Sequence, residues 1–109
     1  RHVDTLVSMG LLQYARNQPE RGREMLERAE AASPKDYRGP LHLGLMAVRT
    51  GDKERAKGCL ERTLTLHQFD RGAVQRILYV SRDEAWADLA AEAEAQLGVL
   101  PEEGDDADV

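Results

Sequence analysis

Apolar residues recur along this chain at helical rather than alternating spacing, and the stripes they make come in consecutive pairs. Over residues 3–16, Leu6, Val7, Met9, Leu11 and Leu12 mark a first helix. Pro19 opens a second within its first turn, where a missing N–H costs little. That helix carries Gly22, Met25, Leu26, Ala29 and Ala32 as its buried stripe and stops at Ser33-Pro34. Asp36 is the expected N-cap of a third helix, with Pro40 in its first turn. Leu43, Gly44, Met46 and Ala47 form the inner face of this helix, and Thr50-Gly51 ends it. Asp52 caps a fourth, striped by Ala56, Cys59, Leu60, Thr63 and Leu64, and Asp70 caps a fifth carrying Val74, Ile77, Leu78 and Val80. Ser81-Arg82-Asp83-Glu84 reads as a capping box opening a sixth helix, which runs to about Gly98 on Trp86, Leu89, Ala90, Ala93 and Leu97. The expectation is six helices and no strand.

The pairs repeat. At an offset of 34, Gly10 meets Gly44, Leu11 meets Leu45, Glu20-Arg21 meets Glu54-Arg55, Leu26-Glu27-Arg28 meets Leu60-Glu61-Arg62, and Asp36 meets Asp70. Conservative pairs fill the gaps: Met9 with Leu43, Leu12 with Met46, Gly22 with Ala56, Arg23 with Lys57 and Met25 with Cys59. One register held across a whole window is an internal duplication. The domain then spans residues 1–99, with repeat one at 3–36, repeat two at 37–70 and a more diverged, capping helix pair at 71–98.

This 34-residue unit resembles the tetratricopeptide repeat family, over roughly residues 3–97. The marks of the family are a small residue in the first helix (Gly10, Gly44), a small residue in the second (Gly22, Ala56), and a large apolar residue four later (Leu26, Leu60). Ala29 and Pro34 follow the pattern in the first unit, whereas Thr63 and Gln68 depart from it in the second. The usual tryptophan and tyrosine of the first helix are absent, with Leu6 and Pro40 at the tryptophan site, and Glu94 stands where the third pair needs a large apolar residue. The resemblance implies an all-α, right-handed helix-turn-helix solenoid of about six antiparallel helices.

It also implies a scaffold or adaptor that binds a partner protein or peptide, an amphipathic helix or an extended segment, in a concave groove lined by each first helix. Its groove positions map onto Asp4, Val7, Leu11 and Tyr14 in the first unit. In the second they map onto Arg38, Leu41, His42, Leu45 and Arg49, and in the third onto Gln75, Arg76, Tyr79 and Arg82. Helical spacing agrees, since these fall at i, i+3 or i+4 within each helix. An apolar floor ringed by arginines suits a ligand with apolar anchors and acidic residues. The carboxylate-clamping subclass that grips chaperone tails is not expected: its cation sites fall on Val7, Leu11, His42, Gly72 and Arg76, and only Arg76 matches. The alternatives are a self-associating homo-oligomer and an accessory domain of a larger protein or enzyme.

Composition narrows the field. The chain has 109 residues, 41% hydrophobic, with 15 basic and 20 acidic residues and a net charge of −5. The segment 100–109 holds five of those acids and is expected to be a disordered tail; setting them aside leaves 15 acids against 15 bases. A neutral body with an acidic tail has no electrostatic case for nucleic acid. No apolar run reaches the roughly 20 residues that span a bilayer, so membrane insertion is not expected. The start at Arg1 rather than Met is the expectation for a processed or excised piece. His2, His42 and His67 are scattered, and Cys59 lies on an inner stripe, so no catalytic, cofactor-binding or metal-ligating set is expected and the chain is not read as an enzyme. A single cysteine favours a reducing cytoplasm but fits a disulfide-free periplasmic protein as well.

Overall fold

Helix-forming stripes joined by short turns fold as hairpins of helices. In a computed structural model, which describes residues 2–66 and 70–99, those residues form six helices and no strand: α1 (His2–Ala15), α2 (Pro19–Ala32), α3 (Arg38–Thr50), α4 (Lys53–Thr65), α5 (Arg71–Asp83) and α6 (Ala87–Val99). The acidic segment 100–109 and His67 lie outside the described residues. No helix among them is long and apolar enough to cross a membrane.

Helices α1 to α4 make one unit, in which α1 packs on α2, α2 on α3 and α3 on α4. Its core joins Leu6 and Val7 of α1, Leu26 and Ala29 of α2, Leu43 and Met46 of α3, and Cys59 of α4. The two hairpins close on small residues. A Cβ on Gly22 would lie 2.7 Å from the carbonyl oxygen of Gly10, and a Cβ on Gly10 would lie 3.0 Å from that of Gly22. At the same place in the second hairpin a Cβ on Gly44 would lie 2.7 Å from Leu60 Cδ2, and Ala56 is fully buried beside it. Buried Thr63 satisfies its hydroxyl by donating to the Cys59 carbonyl at 2.9 Å, so a hydroxyl at the small-residue position costs no unpaired polar group.

Helices α5 and α6 make the second unit, built on Ile77, Leu89 and Ala93. Ser81 is fully buried there and donates to the Ile77 carbonyl at 2.7 Å, while Arg71 Nη1 reaches back to the Leu97 carbonyl at 3.2 Å.

Within every hairpin, the link between the helices is the same turn. Asn17, Gly51 and Ala85 all adopt left-handed backbone, with φ of 65°, 90° and 63°. The amides that follow, of Gln18, Asp52 and Trp86, donate to Gln13, Ala47 and Ser81 at 2.9, 2.9 and 2.8 Å. The left-handed residues themselves donate to Tyr14, Val48 and Arg82. This is a Schellman end to a helix, and its three copies are 34 residues apart. The diverged third pair therefore keeps the period of the first two.

That turn corrects the capping box expected at Ser81 to Glu84. Ser81 lies inside α5, and the chain breaks at Glu84-Ala85, so the sixth helix starts at Ala87. Asp52 and Asp70 do cap, accepting from Arg55 and Ala73 at 3.3 and 3.0 Å. Asp36 does not occupy the N-cap: Tyr37 does, and Asp36 instead accepts from the Arg38 amide two residues on. Glu27 and Glu30 of α2 reach across to Arg55 and Arg62 of α4 at 2.7 Å each. Along α2 itself Arg23 pairs with Glu27.

Three outcomes follow for urea unfolding. Gly22→Ala drives a methyl into a backbone carbonyl and is expected to cost about 1–3 kcal/mol. Gly58→Ala, on an exposed helical site with nothing within 4 Å of the added carbon, should gain about 0.5–1 kcal/mol. Ala85→Gly removes a Cβ from left-handed backbone and should stabilise by about 0.5–1 kcal/mol, the relief being offset in part by the freer unfolded chain.

Candidate groove between the first and third helices

In the first unit two side-chain contacts bridge α1 and α3 near their opposite ends. At one end Arg38 Nη1 lies 2.7 Å from Asp4 of α1, while its Nε and Nη2 donate to the two carboxylate oxygens of Asp36 at 3.0 and 2.7 Å. At the other end the Arg49 guanidinium sits 5.7 Å from the ring centre of Tyr14, within cation–π range. Between these bridges, helical spacing runs Val7 and Leu11 along α1 beside Leu41, His42 and Leu45 along α3.

The side chains on these stripes are not equally available. Val7 and Leu41 are only 5% and 3% exposed and belong to the interior, so they support the groove from beneath and offer a ligand little area. Leu11 is 37% exposed, and Leu45, His42 and Tyr14 are half-buried. The accessible floor is thus Leu11 and Leu45, bounded by Tyr14–Arg49 at one end and the Asp4–Arg38–Asp36 cluster at the other. In the second unit, Arg76 and Tyr79 are exposed on one stripe of α5, and Arg82 pairs with Glu94 of α6.

Two features escaped the reading of the sequence. Asp4 and Arg38 occupy the same position in successive repeats, so their pairing was available from the 34-residue offset. The stacking of Arg49 on Tyr14 had no such signal. The consequence is electrostatic: two of the four arginines expected to ring the groove, Arg38 and Arg82, already hold acidic partners. Arg49 is engaged with an aromatic ring rather than a carboxylate.

Other chemistry is sparse. Burial pushes the Cys59 thiol up from its ordinary value, which disfavours the nucleophilic thiolate. Among the described residues no three His, Cys, Asp or Glu side chains gather as a metal site. Compared with known proteins, the chain matches no family model and no curated protein sequence.

The Arg38 guanidinium holds the Asp36 carboxyl below the usual carboxylate range, through hydrogen bonds foremost. A depressed folded value means this contribution is complete above about pH 4 and is lost as pH falls through the folded midpoint. In a carboxyl-detected NMR titration Asp36 should titrate below its unfolded value, and Arg38→Gln should bring the midpoint back up toward that range.

Proposed function

We propose that this chain is a tetratricopeptide-like interaction module. It takes an amphipathic or extended peptide onto the α1–α3 groove and performs no reaction of its own. The observation that carries the reading is the pair of bridges, Asp4–Arg38 and Tyr14–Arg49, which hold α1 and α3 side by side with Leu11 and Leu45 accessible between them. The 34-residue period of the turns and the glycine crossings support the family resemblance. A trough braced at both ends is preformed, so little ordering is needed when a ligand enters. The ligand that suits it carries two apolar anchors about one helical turn apart and an acidic residue placed toward Arg49.

The test is selection of a displayed library of 16-residue random peptides on the immobilised chain. Enriched peptides should share apolar anchors with a flanking acid. Binding should fall at least tenfold with Leu11→Asp, whose site is open enough to accept the charge, while the circular dichroism stays helical. Leu41→Asp should instead unfold the first unit. Peptides that bind Leu11→Asp as well as the wild type would remove the groove from consideration.

A further inference from the structure

The internal repeat makes one comparison possible inside a single unit. Leu43 and Met46 of α3 are 5% and 7% exposed, and Cys59 of α4 is buried beside them. They share a core with Leu26 and Ala29 of α2, and a Cβ on Gly22 of that helix would lie 3.2 Å from Met46 Cε. Arg55 and Arg62 flank this surface and pair at 2.7 Å with Glu27 and Glu30 of the same α2. Thus α3 and α4 present an apolar patch between two arginines, and α2 covers it with a stripe of small and aliphatic residues between two carboxylates.

Thirty-four residues earlier the same surface exists uncovered. Met9 and Leu12 of α1 stand at the positions of Leu43 and Met46 and are 40% and 48% exposed. Met25 stands at the position of Cys59 and is only partly buried. Arg21 and Arg28 stand at the positions of Arg55 and Arg62. Both are exposed, and neither has an acidic partner among the described residues; the Arg28 guanidinium rests 3.9 Å from Met25 Sδ. Exposed methionine and leucine beside unmatched arginines call for a cover of opposite charge.

We propose that the outer face of α1 and α2 is a docking surface for a helix of α2's own pattern. The occupant is the trailing helix of another helical hairpin, bearing small and aliphatic residues flanked by two carboxylates three positions apart, set against Arg21 and Arg28. A second copy of this chain cannot supply that edge from α2, because its Glu27 and Glu30 are engaged with Arg55 and Arg62. One of the differences between the two surfaces opposes close docking. Gly39, where a Cβ would come within 3.0 Å of Glu30 Cβ, corresponds to exposed Thr5, so the docked helix stands off at that end. The contact there is centred on Met9, Leu12 and Arg21.

The test extends the full chain with a second copy of residues 3–36 placed directly ahead of residue 3, which preserves the 34-residue register. A Leu12→Cys substitution in the original repeat reports on the face, since native Cys59 is buried and the unsubstituted chain gives the background rate. Docking is expected to add two helices by circular dichroism and to slow the reaction of the new thiol at least tenfold relative to the unextended chain. Arg21→Glu with Arg28→Glu in the original repeat should restore reactivity, and Glu27→Arg with Glu30→Arg in the added copy should protect it again. Thr5→Gly should deepen the protection. A thiol equally reactive with and without the extension would overturn the proposal, whether the added residues are helical or not. So would a native chain whose sedimentation shows self-association abolished by Met9→Asp, because the face would then belong to a second copy. Neither result bears on the groove, which lies along a different pair of stripes.

Discussion

The first unit depends on how closely two helix backbones can approach. Where α1 crosses α2, the carbonyl of each glycine occupies the space a methyl on the other would need. Because the obstacle on each side is backbone, neither glycine has room for a methyl without the helices moving apart. Leu26 then falls into the space that Gly10 leaves and becomes fully inaccessible. The second hairpin reaches the same end differently, with Ala56 replacing one glycine and Leu60 filling the notch at Gly44. At the corresponding positions α5 and α6 carry Leu78 and Ala90, so that pair lacks the glycine-to-glycine approach of the first. Small residues here act as spacers of zero thickness, and the large neighbours are cut to fit them.

Most of the fold was legible in the sequence because its determinants are local and repeated. Asp52 and Asp70 announce helix starts, Gly51 announces an end, and an offset of 34 brings two units into register. What misled was strong local chemistry in the wrong place. Ser81 to Glu84 has the residues of a capping box, but Ser81 is needed inside α5, where its hydroxyl is satisfied by the preceding turn. Carrying the offset through to Ala85 would have found the break, although alanine is a poor residue for left-handed backbone and gives no warning of its own. Tertiary register prevailed over local propensity.

The groove was legible as a stripe but not in depth. Helical spacing says that Val7, Leu11, Leu41 and Leu45 share faces; it does not say how far a neighbouring helix overlaps each face. Val7 and Leu41 lie under that overlap and Leu11 lies past it. Charge had the same ambiguity. Arginines counted as groove cations turned out to be divided between bracing the scaffold, as Arg38 does, and remaining available. A long side chain with a planar head can do either, and only the position of its carboxylate neighbours decides which.

The turn at Asn17 bears on how this protein ages. Asn17 is the only asparagine in the chain, and asparagine decays when the next backbone nitrogen attacks its side-chain amide to close a succinimide ring. That nitrogen belongs to Gln18, and its hydrogen is committed to the Gln13 carbonyl at 2.9 Å. The left-handed backbone at Asn17 and the proline after Gln18 restrict the swing that ring closure needs. The same geometry that ends α1 therefore shields the one residue most prone to spontaneous deamidation, and chemical wear at this site becomes a readout of whether the turn is intact.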